Sequence, residues 1–242
     1  ALSDEGYFVG AIDKKKSSVE YALKNGLIQV GETSVKKDFV KDFDLIVFAL
    51  YPHDFINWIK EYQSSIKSGA LITDVTGVKS FVVENVQKIL RGDLEFVGAH
   101  PMAGKEVSGV ENADSKIFVG ANYIVTPTKK NTDENVQAVK DLGRALGFER
   151  ISSLSPEEHD ETVGFLSHLT HCIAVSLMGS KKSHHLAEYT GDSFRDLTRI
   201  AKINDEMWSE LFLANKDELL KQMDLFEEKF NQLKEDIKND NR

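Results

Sequence analysis

Up to about residue 150 the chain alternates short β-branched apolar runs with stretches of helix formers, and beyond that point strand-like runs nearly disappear. The apolar runs cover residues 7–13, 44–50, 70–75, 94–99 and 122–127, and helical stretches follow at 14–26, 55–68 and 80–90. Gly26 is a natural stop for the first helix. The runs 44–50 and 70–75 lack polar alternation, as expected of strands covered on both faces. Strands alternating with helices predict a parallel, doubly wound sheet, which binds ligands beyond the carboxyl ends of its strands.

The length of 242 residues corresponds to between one and two domains at roughly 150 residues each. We place the boundary between 152 and 153, giving an α/β domain at 1–152 and an all-α domain at 153–242. With 41% hydrophobic residues, a disordered chain is excluded. Lys and Arg number 30 against 39 Asp and Glu, a net charge of -9 that argues against a nucleic-acid partner. Most of that charge lies after residue 150. The single cysteine, Cys172, excludes a disulfide framework and a multi-cysteine zinc site. No run of 18 apolar residues offers a membrane span, and the first residues lack the features of a signal peptide. By exclusion, these absences predict a cytoplasmic protein.

Three strand ends carry candidate chemistry. Asp13 closes the first run, where an acid can accept hydrogen bonds from a dinucleotide's ribose or simply cap a turn. Thr76-Gly77 is a tight strand-to-helix turn, either ordinary or shaped for close approach of a ligand. His100 lies between Gly98 and Gly104 beside Pro101, and a fixed neutral imidazole can take a proton near pH 7. The alternative is a loop or core histidine. A G-x-G-x-x-G phosphate loop is expected of a dinucleotide-binding domain, yet the sequence contains none. Residues 1–6 read like the end of the helix that would follow such a loop, so we expect the first strand and its loop to precede Ala1.

In the second part, Ser155-Pro156-Glu157-Glu158 makes a good helix start, followed by an apolar stripe through Val163, Leu166, Thr170, Ile173, Ala174 and Leu177. His168 and His171 share one helix face. Neighbouring Cys172 points elsewhere, so packing between helices is favoured over a metal site, and no metal is expected. Asp196 and Arg199 form either a local ion pair or a cation prepared for a carboxylate. Met223, Phe226, Phe230, Leu233 and Ile237 make a heptad-like seam that closes within the domain or across a homodimer.

Taken together, Thr73-Asp74-Val75-Thr76-Gly77-Val78-Lys79 and Gly98-Ala99-His100-Pro101-Met102-Ala103-Gly104 with Glu106 resemble the prephenate dehydrogenases of tyrosine biosynthesis. Residues 108–111, 155–160, 167–171, 194–201, 207–208 and 212–216 continue the likeness in family order. The resemblance implies a Rossmann-like NAD domain and an all-α helical domain that makes a homodimer. It implies hydride transfer from C4 of prephenate to NAD, with loss of carbon dioxide, giving 4-hydroxyphenylpyruvate. Carried onto this chain, His100 is the catalytic base, and Arg199 binds a substrate carboxylate. His171, Trp208, Glu106, Thr76 and Gly77 line the substrate, while Asp13, Leu50, Tyr51 and Thr76 meet the cofactor, Asp13 favouring NAD over NADP. Relatives often have a serine where this chain has Gly77, a contact that the Thr76 hydroxyl is a candidate to replace. Many relatives also carry a small C-terminal regulatory domain, and this sequence stops at Arg242 without one. Two alternatives are carried: an arogenate-using enzyme of the same fold, and a non-catalytic helical dimerisation or binding module.

Overall fold

The computed structural model describes every residue except 106 and 182–184, and only the backbone of residues 186 and 187. It divides into two compact units, Ala1–His159 and Asp160–Arg242. The first unit opens with β1 (Gly10–Ile12), α1 (Lys16–Lys24), β2 (Val30–Glu32), α2 (Lys37–Val40), β3 (Leu45–Phe48) and α3 (Pro52–Tyr62). It continues with β4 (Leu71–Asp74), α4 (Ser80–Ile89), β5 (Glu95–Phe96), β6 (Gly98–Met102), β7 (Asn122–Thr126), α5 (Asp133–Ala145) and β8 (Arg150–Ser153). Gly26 ends the first helical segment as expected. Its φ of +67° suits a residue without a Cβ, and the next N–H, from Leu27, reaches back to the Ala22 carbonyl at 2.9 Å.

Strands β1 and β2 pair in parallel, and so do β3, β4 and β5 in that order. No ladder joins β1 to β3 among the described residues. Strand β4 is buried along its whole length, as its unbroken apolar run predicts, whereas β3 leaves Val47 exposed. Short β2 and β8 were not predicted; three or four residues with little apolar periodicity give no strand signal.

The predicted strand at 94–99 is two strands with different partners. β5 pairs with β4, and after Val97 the chain crosses to β6, which runs antiparallel to β7 with His100 opposite Ile124. β7 in turn pairs in parallel with β8. His100 therefore sits within a strand rather than in the loop beyond one. Pro101 is tolerated because β6 is the edge of its sheet, where a missing N–H disrupts no second ladder. At the root of β6, a Cβ on Gly98 would stand 2.5 Å from Thr126 Oγ1, so glycine alone permits this approach. The core beneath is built from Leu71, Val97, Ala99, Tyr123, Val125, Val139 and Phe148.

The remaining elements are helical: α6 (Pro156–Val163), a π-helical segment (Gly164–Leu169), α7 (Thr170–Ser180), α8 (Leu186–Tyr189), α9 (Asp192–Thr198), α10 (Asp205–Ala214) and α11 (Lys216–Lys238). The predicted start of α6 is a reciprocal capping box. The Ser155 N–H donates to Glu158 Oε2 at 2.8 Å, and the Glu158 N–H donates to Ser155 Oγ at 3.1 Å. The apolar stripe drawn for this helix needs correction. Leu166 and Thr170 are exposed, while Val163, Gly164, His168, Leu169 and Ala174 are buried. The π turn moves the inward positions one residue along, so Val163 is followed inward by His168 five residues later.

The helical run Pro156–Ser180 has the length and composition to cross a membrane, with a mean hydropathy of 1.3 in its most apolar stretch. It nevertheless buries Asp160 and His168, and its part in the second unit packs on α9 and α11. The seam on α11 faces solvent along Met223, Phe226, Phe230, Leu233 and Ile237, the last 69% exposed.

Candidate active site

In the first unit the candidate chemistry gathers on the turn after β4 and on β6. Asp74 and Lys79 are completely buried, and Lys79 Nζ lies 2.5 Å from Asp74 Oδ2. The same carboxylate oxygen accepts from the Thr76 N–H at 3.1 Å and from the Thr76 hydroxyl, which itself accepts from Lys79 Nζ at 3.0 Å. Asp74 Oδ1 accepts from the N–H of Ala99 at 3.0 Å. The turn is thus stitched to the residue just before His100. Burial, with the Asp74 charge nearby, pushes the Tyr123 phenol well above its ordinary range and keeps it protonated.

This arrangement corrects one expectation. The hydroxyl and the N–H of Thr76 are both engaged by Asp74, so the hydroxyl is not presented in place of the serine that Gly77 lacks. Gly77 itself is half-buried in the turn. The imidazole of His100 is held by another group instead: its Nδ1 lies 2.9 Å from Nε2 of His159, with the two rings inclined at 62°. His159 is fully buried in the first turn of α6. Sequence reasoning gave it no role, because its partner is 59 positions away and no periodicity links them.

Asp13 follows β1 directly and stays exposed, and its Oδ1 accepts from the Lys15 N–H at 2.7 Å, which is the turn-capping role. Leu50 and Tyr51 follow β3, and Tyr51 stands at the start of α3. All of these lie where a doubly wound sheet presents its ligand contacts. Glu106 lies outside the described residues.

The second unit carries its own cluster. His171 stacks on Trp208 with ring centroids 3.7 Å apart, and His168 meets the same indole edge-on. The predicted common face of the two histidines is therefore a wall around Trp208. The Nδ1 of His171 faces the Ser167 carbonyl at 2.8 Å; a carbonyl only accepts, so this nitrogen carries the proton. His168 is buried, and its Nδ1 accepts from Asn215 Nδ2 at 3.3 Å. Arg199 is exposed in the turn that follows α9, and the nearby short ion pair joins Arg195 to Asp192. Burial pushes the Cys172 thiol up, away from the thiolate that nucleophilic chemistry needs.

An α/β unit built on parallel strands and followed by a helical unit, with a histidine carried on a strand of the first, is an arrangement that suits a dinucleotide-dependent enzyme. Comparison with known proteins narrows it. The prephenate dehydrogenase nucleotide-binding domain matches residues 1–150, and the prephenate dehydrogenase dimerization domain matches residues 155–242. A prephenate dehydrogenase of Bacillus subtilis is 34% identical over 88% of this chain and 58% of its own length. A cyclohexadienyl dehydrogenase of Zymomonas mobilis is 29% identical over 78% of this chain and 66% of its own. The crystal structure of prephenate dehydrogenase from A. aeolicus, in complex with hydroxyphenyl propionate and NAD+, superposes with a TM-score of 0.89. It is 33% identical and covers 99% of this chain and 85% of that one. The chain belongs to the prephenate dehydrogenase family. It spans about 58% of the length of the Bacillus relative.

Proposed function

We propose that this protein is an NAD-dependent prephenate dehydrogenase of tyrosine biosynthesis, oxidising prephenate to 4-hydroxyphenylpyruvate and carbon dioxide. The observation that carries the reading is His100, fixed within β6 by a partner imidazole, in a chain whose two halves both belong to this family. On this reading 1–152 is the dinucleotide-binding domain, and 153–242 is the substrate and dimerisation domain. The residues present fit the adenosine end of NAD: Asp13 keeps an exposed carboxylate at the end of β1, with only Oδ1 drawn into the turn. Such an acid accepts from ribose hydroxyls and repels a 2′-phosphate. Leu50 and Tyr51 flank the cofactor beyond β3.

When bound, NAD accepts the hydride that leaves C4 of the substrate. The C4 hydroxyl then becomes a carbonyl, and His100 takes its proton. The bond from C1 to the ring carboxylate breaks, its electron pair completes the aromatic ring, and the phenolate oxygen takes the proton back. The forked guanidinium of Arg199 holds a substrate carboxylate. The stacked rings of His171 and Trp208 give a flat wall for the substrate, and Gly77 and Glu106 complete its lining. The Thr76 hydroxyl acts through Asp74 and Lys79, which engage it, rather than by touching the substrate.

The test is NADH formation by the full-length protein with prephenate and with arogenate. The expected result is the higher kcat/KM on prephenate. A preference for arogenate overturns the substrate in favour of the arogenate-using alternative. Failure of NAD to bind leaves the non-catalytic module.

The match to a dimerization domain and the exposed seam on α11 support a homodimer through the helical unit. Neither nucleic acid nor membrane is a proposed partner, and the proposed location is the cytoplasm. Phe230→Asp, at a position 58% exposed on that seam, is expected to halve the mass measured by light scattering. An unchanged dimer places the interface elsewhere.

A further inference from the structure

We propose that His159 is a positioning residue for the proposed reaction, fixing the tautomer and the plane of the His100 imidazole. The inference rests on the reading of His100 as the base. Two facing ring nitrogens 2.9 Å apart share one proton: one is N–H, and the other must accept. Two arrangements satisfy the contact, and they have opposite chemical consequences. If His159 donated, His100 in its neutral form would carry its proton on Nε2 and could only offer a donor there. If His100 donates from Nδ1, its Nε2 is the basic nitrogen that can receive the hydroxyl proton. Only the second arrangement makes His100 a base. It requires His159 to carry its own proton on Nδ1 and to accept at Nε2.

The second arrangement also survives the reaction unchanged. When His100 gains a proton at Nε2, its Nδ1–H goes on donating to the same acceptor, now as a charge-assisted hydrogen bond. A carboxylate in the place of His159 would favour the charged imidazolium before substrate arrives; a neutral imidazole does so less. The mounting is rigid. His159 is completely buried, its N–H donates to the Ser155 carbonyl at 2.9 Å, and the capping box of Ser155 and Glu158 fixes this turn of α6. On the other side β6 holds His100 in register with Ile124, and Asp74 holds the N–H of Ala99. Neither ring needs to search for the other.

The experiment compares His159→Gln and His159→Leu in the full-length protein. Glutamine brings an amide oxygen near the position of Nε2 and restores an acceptor, whereas leucine fills the space without one. For His159→Leu, kcat is expected to fall about 10–100-fold with the KM values for NAD and prephenate within about twofold. For His159→Gln, most of kcat is expected to return. Equal loss in both variants, or a change confined to KM, overturns the proposal. Independently of turnover, nitrogen-15 NMR of labelled histidine in the wild-type protein is expected to show His100 protonated at Nδ1 and His159 unprotonated at Nε2. The reverse assignment overturns the proposal even if His159→Leu fails to fold. If the wild-type protein shows this tautomer but turns over neither prephenate nor arogenate, the proposed function fails while the assignment of the histidine pair stands.

Discussion

His100→Asn is expected to lower kcat with prephenate by about 10²–10⁴-fold while leaving NAD affinity within a few-fold of wild type. Asparagine keeps a side chain of polar character at this half-buried place in β6, opposite Ile124, so the strand is expected to fold as before. What is lost is a group able to hold a proton between the departure of the hydride and the completion of the aromatic ring. An amide cannot do this at neutral pH, and the proton must then reach water while a carbonyl is forming. The measurement is steady-state NADH formation, with NAD binding followed separately by calorimetry. A fall of less than tenfold would mean that the proton leaves by another route and that His100 is a packing residue of the β6–β7 ladder.

The parallel α/β unit and the helical unit were legible because their signals are local. An unbroken apolar run such as 70–75 reads as a covered strand, and β4 is buried throughout. Ser155 and Glu158 read as a helix start, and both capping hydrogen bonds form. The chain's crossing from β5 to β6 was not legible. Residues 94–99 are apolar on both sides of Val97, and what separates the strands is a change of partner from β4 to β7, set by tertiary pairing. The π turn at Gly164–Leu169 was hidden for a related reason: a stripe drawn at 3.6 residues per turn presumes regular hydrogen bonding, and one wider turn shifts every later residue. His100 was visible as a fixed histidine between glycines. Its partner His159, from a distant helix, was not.

The stability of the first unit is expected to hinge on the buried pair of Asp74 and Lys79 far more than on any surface ion pair. Lys79→Met removes the cation and leaves the Asp74 carboxylate, fully buried, with only the N–H groups of Thr76 and Ala99 and the Thr76 hydroxyl to solvate it. An uncompensated buried charge of this kind costs about 3–5 kcal/mol. In a unit of this size that lowers Tm by roughly 10 °C. The double variant Asp74→Asn with Lys79→Met is expected to recover much of the loss, because a neutral amide oxygen can still accept from Ala99 while no charge remains to be balanced. By contrast, Lys16→Ala breaks only the exposed pair with Glu20 and is expected to cost under about 1 kcal/mol. Thermal unfolding of the four proteins, wild type included, decides the matter. If Lys79→Met is as stable as the double variant, the pair is neutral to the fold, and the N–H groups alone are enough to hold Asp74 against the strand that carries His100.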